Sequence, residues 1–135
     1  MSGVLSTISK PVDRAPIITI LGDGGLGKTT MAASFDSPIF IAAEDGLQAI
    51  PIEDRPDAFP VLSQLGALVH EEHVYKTLVI DSSTALERMF TQHVVDCDDK
   101  KPKSINQALG GYGAGTAAVA MMHARVGKAC KLLNQ

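Results

Sequence analysis

The sequence contains no long apolar run: nothing in it approaches the ~18 consecutive apolar residues of a membrane-spanning helix. Its first residues, MSGVLSTISKPVDR, have no apolar stretch of the kind that directs export. A cytoplasmic protein without a membrane partner is expected. Cysteine is scarce: Cys97 and Cys130 have neither a CxxC spacing nor histidines at metal-ligand spacing, which removes zinc and dithiol motifs and leaves two reduced thiols. Internal repeats and low-complexity tracts are absent. Acidic residues are missing altogether after Asp99: residues 100–135 carry six basic side chains and none of opposite sign, a balance of +6, while residues 1–99 hold six basic against fifteen acidic, a balance of −9. That asymmetry suits a polyanion-facing C-terminal quarter, although a solvated basic face gives the same count.

What is present is an ordinary globular mixture, 45% hydrophobic and 20% charged over 135 residues, enough for one packed domain. Residues 1–16 read as an arm, and residues 17–135 as the core. Ile17–Leu21 is a short β-branched apolar run suited to a buried strand. A helix is expected over residues 28–35, and Pro38 introduces a second strand, Ile39–Ala43. Pro51, Pro56 and Pro60 punctuate a surface connection. Helical spacing returns at Val61, Leu62, Leu65, Leu68 and Val69, and Thr77–Asp81 is the third strand. Leu86, Met89, Phe90 and Val94 lie on one helical face, with Thr84 and Glu87 spaced as a capping box. A Gly-rich segment, residues 109–115, precedes a last helix striped by Val119, Met122, Val126 and Leu133. Strands alternating with helices define an α/β protein with a parallel sheet.

One motif stands out. Gly22-Asp23-Gly24-Gly25-Leu26-Gly27-Lys28-Thr29, followed by Thr30, is a complete GxxxxGKT between an expected strand and an expected helix, the context that gives the motif its meaning. Its glycines let successive backbone N–H groups face a phosphate, and the helix that follows adds its positive end. Lys28 is placed to bridge the β- and γ-phosphates of ATP, and Thr29 to ligate Mg²⁺. A carboxylate at the end of a neighbouring buried strand completes such a site, and Asp81 closes Leu78-Val79-Ile80-Asp81, with Ser82 beside it. Glu44 follows the second strand on the same sheet end, where a carboxylate can orient the attacking water, a role for which Asp45 competes.

Together, IITILGDGGLGKTT, IFIAAEDGLQAI and TLVIDSSTALERMF resemble the RecA-like ATPase core. With PIFIAAEDGLQAIP, HVVD and SINQALGGYGAG added, the chain is most similar to phage AAA-type ATP-binding proteins related to RecA, which are proposed single-strand DNA annealing and recombination factors. The resemblance implies a three-layer α/β/α P-loop fold, ATP and Mg²⁺ as cofactors, Glu44 as the water-activating residue and Asp81 as the Walker B carboxylate. It also places a DNA-contacting loop after the Walker B helix, where Lys100, Lys101, Lys103 and Tyr112 lie. Partners are then ATP, single-stranded DNA and further copies of the chain. RecA-like sheets run 5-1-4-3-2. Only three strands are legible here, so an incomplete core is expected in which Ile17–Leu21 has no ladder partner in Leu78–Asp81.

Two other functions compete. A P-loop kinase or GTPase lacks support, because no NKxD and no Arg-rich lid is present. A nucleotide-binding regulatory or partitioning module without DNA contact remains, although Asp23 and Gly24 stand where partitioning ATPases often carry a second lysine.

Overall fold

The computed structural model describes residues 3–9, 11–43 and 58–135. Its elements are α1 (Lys28–Ala33), β1 (Pro38–Ala42), α2 (Ala58–His70), β2 (Thr77–Asp81), α3 (Ser83–Cys97) and α4 (Ala114–Leu133), with short 3₁₀ turns at Val4–Thr7 and Ala108–Gly110. The alternation of strands and helices expected from the sequence is present, and the two strands are parallel, in the register Pro38↔Thr77 through Ala42↔Asp81.

The pair is fastened at its start by local polar contacts. The amides of Lys76 and Thr77 both donate to the Ser37 carbonyl, the Thr77 hydroxyl donates to the Asp36 carbonyl at 2.8 Å, and the Lys76 ammonium meets the Asp36 carboxylate at 2.9 Å. That ion pair holds the Asp36 carboxyl below its ordinary value and raises that of Lys76, but both side chains are largely exposed, so water screens it. Pro38 opens β1, a strand position at which its missing N–H is tolerated.

Two strands, rather than the three expected, form the sheet among the described residues. Ile17–Leu21 is not a strand: Ile17, Ile18 and Leu21 are 66%, 58% and 89% exposed. A β-branched run becomes a strand only when a neighbouring ladder takes up its N–H and C=O groups, and among the described residues the one ladder, β1–β2, does not include it. Among the described residues, three helices share one core with the sheet. Val61 and Leu65 of α2, Leu86, Phe90 and Val94 of α3, and Val119 and Val126 of α4 pack with Ile41 of β1. Phe90 is fully buried, and each such large side chain contributes on the order of 1.5–3 kcal/mol by leaving water.

Helix ends explain two further departures. α2 begins at Ala58 and takes in Pro60, since proline is accommodated in a first helical turn where no intrahelical N–H bond is lost. The capping residue of α3 is Ser82, whose extended backbone lets its hydroxyl accept the Ala85 N–H at 3.3 Å. Thr84 therefore lies inside the helix and forms no capping box with Glu87, whose carboxylate instead meets the His123 ring of α4 at 2.5 Å. His123 also stands edge-on to Phe90, so α3 and α4 are joined by one polar and one apolar contact at the same place. Cys97 and Cys130 are free thiols, and no described helix is long and apolar enough to cross a membrane.

Candidate nucleotide site

The Gly-rich loop runs into α1 through two residues in the left-handed region, Gly25 (φ 80°) and Gly27 (φ 83°), conformations that L side chains enter at a cost. Gly27 occupies the N-cap, and its carbonyl accepts the Met31 N–H at 2.9 Å, closing the first turn. Lys28 curls back over the loop that precedes it: its ammonium donates to the carbonyls of Gly22 and Asp23 at 2.6 and 2.7 Å. The cation thereby lies against the first two residues of the loop whose phosphate it is expected to meet.

α1 buries none of its six residues, so hydrogen bonding rather than core packing carries it to the sheet. The decisive contact spans 52 residues: the Thr29 hydroxyl donates to Asp81 Oδ2 at 2.5 Å. Asp81 is the last residue of β2, and its carbonyl accepts the Ala43 N–H at 2.8 Å, which extends the β1–β2 pairing past Ala42. A hydroxyl and a carboxylate presented side by side by two elements form an all-oxygen donor pair of the kind Mg²⁺ takes together with phosphate oxygens and water. The residues present thus fit the cation: Thr29 and Asp81 would hold it, and it would neutralise phosphate charge.

Of the residues expected at the site, Gly22 to Thr30 and Asp81 are described, and the structure joins Lys28 to Gly22 and Asp23 and Thr29 to Asp81. Glu44 and its competitor Asp45 lie outside the described residues. The lysines and tyrosine expected to meet DNA are all exposed, and they belong to the connection between α3 and α4 rather than to the phosphate loop. Tyr112 is fully open to solvent. Sequence reasoning passed over Asp98, which follows the end of α3 and is only 8% exposed. Its carboxylate accepts the amides of Lys100 at 2.9 Å and Leu109 at 2.6 Å. Those bonds, the Leu109 N–H foremost, hold its carboxyl below the ordinary aspartate value against the opposing effect of desolvation. Within the acidic run Asp96-Cys97-Asp98-Asp99 no spacing distinguishes it from its neighbours.

The end of β2, a Gly-rich loop opening α1, a lysine folded back over that loop and a hydroxyl–carboxylate pair are features a P-loop nucleotide site has, while residues 17–21 ahead of the loop form no strand. Comparison with known proteins agrees: residues 14–134 match the AAA domain family, and the chain belongs to that family of P-loop ATPases. It is also 28% identical over 116 residues to the SPbeta prophage-derived uncharacterized protein YorG of Bacillus subtilis (strain 168). The match covers 81% of this chain and 35% of that relative, so the chain spans about a third of its length. No solved structure matches the chain.

Proposed function

We propose that this chain carries the nucleotide-binding half-site of a phage-type, RecA-related ATPase that hydrolyses ATP with Mg²⁺ and acts on single-stranded DNA. The observation that carries the nucleotide part is the Thr29–Asp81 hydrogen bond, because it joins the phosphate loop to the end of β2 across 52 residues, where a metal-bound phosphate must sit. Lys28 meets the β- and γ-phosphates, Thr29 and Asp81 hold Mg²⁺, and Glu44, the residue after Ala43, orients the attacking water. The pairing of β2 with β1 is compatible with 5-1-4-3-2, in which the second and third strands are neighbours.

The DNA part rests on charge and exposure. Residues 100–135 are free of acid, and Lys100, Lys101, Lys103 and Tyr112 project from one connection, with lysines suited to phosphates and an exposed aromatic ring suited to an unpaired base. Equilibrium binding to a single-stranded oligonucleotide, titrated with salt and repeated with and without ATP and Mg²⁺, tests both parts. Salt-dependent binding strengthened by nucleotide is expected. Nucleotide binding with no DNA binding would reassign the chain to a regulatory nucleotide-binding module.

A further inference from the structure

The connection between α3 and α4 has a definite construction. Five consecutive residues, Leu109, Gly110, Gly111, Tyr112 and Gly113, have positive φ, between 54° and 91°. Glycine enters that region freely, but leucine and tyrosine do so at a cost, and a strained backbone persists only where its surroundings hold it. The two strained residues carry the largest exposed apolar side chains of the connection, Leu109 at 52% and Tyr112 at 107% exposure.

Two anchors hold the segment. At one side Ala108 is fully buried and the chain presses on α4 so closely that a Cβ at Gly115 would stand 2.4 Å from the Ile105 carbonyl oxygen, which requires glycine there. At the other, the buried Asp98 reaches both ends of the loop. Oδ1 accepts the Lys100 amide, Oδ2 accepts the Leu109 amide, and the Asp98 carbonyl accepts the Lys101 amide at 3.0 Å. The turn bearing Lys100 and Lys101 and the tip bearing Leu109 and Tyr112 are thus tied to one residue.

We infer that Asp98 is the positioning residue of the single-strand-binding loop: by holding Lys100 and Leu109 together it presents the lysines to the phosphates and the Leu109–Tyr112 tip to the bases as one body. This rests on the proposed DNA function. The inference reverses what charge alone dictates. A carboxylate beside lysines opposes polyanion binding, so neutralising it would tighten binding if Asp98 were a bystander. As a positioning residue, its replacement weakens binding.

The sequence has no tryptophan and two tyrosines, so Tyr75→Phe leaves Tyr112 as the sole emitter, and a base stacked on its ring quenches it. In that background, titration with single-stranded oligothymidylate is expected to quench Tyr112. Asp98→Asn, which keeps one acceptor oxygen but turns an NH₂ toward the other amide, is expected to weaken binding roughly tenfold, the scale of one lost base stack, with the quench reduced. Asp99→Asn, the same charge change at an exposed neighbour, is expected to bind equally or more tightly. If Asp98→Asn binds as tightly as its background with full quench, the positioning role is wrong and the DNA reading stands. If the Tyr75→Phe protein neither binds nor quenches, the DNA reading fails and takes this role with it. Hydrogen exchange on the unaltered protein guards against a variant that fails to fold: the Lys100 and Leu109 amides are expected to be protected, and exchange at free-peptide rates would overturn the clamp.

Discussion

Replacing Thr29 by valine removes the hydroxyl that reaches Asp81 and preserves the shape of the side chain. A hydrogen bond to a charged acceptor contributes ~1.5–3 kcal/mol, and because this one is only part-buried the lower end applies. Because the same hydroxyl is proposed as a Mg²⁺ ligand, Thr29→Val should also weaken Mg²⁺-dependent ATP binding about tenfold, about 1.4 kcal/mol. Since α1 has six residues, far below the ~12–15 at which isolated helices persist, and buries none of them, the same change should speed amide exchange at Met31, whose N–H closes the first turn. Asp81→Asn retains an acceptor and loses the charge. Measuring both single variants and the double variant by calorimetry, with and without Mg²⁺, isolates the coupling of the pair. A coupling near 1 kcal/mol or more in the presence of Mg²⁺ is expected. Additivity within the ~0.3–0.5 kcal/mol typical of independent sites would show that the hydroxyl and carboxylate do not act together, and the reasoning would fail.

Glu44→Gln keeps the side-chain shape and removes the base, so ATP binding should stay normal while hydrolysis slows at least ~10²-fold; normal turnover would pass the role to Asp45 or elsewhere. Replacing Lys100, Lys101 and Lys103 with alanine should lower the salt slope of single-strand binding by about 2, at ~0.7 per phosphate contact. Tyr112→Ala should cost ~1–3 kcal/mol of binding without changing that slope, because stacking releases no counterion. Asp98 sets a pH dependence. Its folded carboxyl titrates below its unfolded value, so its contribution is fully present above the unfolded pKa, ~3.9, and disappears as pH falls through the lower folded value. Protection of the Lys100 and Leu109 amides should accordingly survive to pH 5 and vanish only in stronger acid, checked by hydrogen exchange.

The phosphate loop was legible because its chemistry is local: GxxxxGKT states its turn, its helix and its cation within eight residues. Asp81 could be picked out because an apolar run ending in an acid is a strand end, and its pairing with Thr29 follows from the motif logic. Ile17–Leu21 was misread because β-branched composition says only that a strand would suit these residues, whereas the partner that makes one is a tertiary fact. The Thr84–Glu87 spacing misled for a similar reason. Three successive hydroxyls, on Ser82, Ser83 and Thr84, compete for one cap, and the residue that leaves β2 in extended conformation, Ser82, takes it. Asp98 left no trace in the sequence, since its partners are backbone amides and every residue but proline has one.

Asp81 belongs to two hydrogen bonds through different parts of itself, the side chain toward Thr29 and the carbonyl toward Ala43. Between the hydroxyl of α1 and the backbone at the end of β1 there is consequently a single amino acid and no train of packed side chains. Mechanically, this is a rocker with a very short arm. Any displacement of Asp81 would act directly on the Ala43 amide that its carbonyl pins. The start of α1 and the end of β1 are then coupled through one residue, with no separate relay for substitution to disconnect.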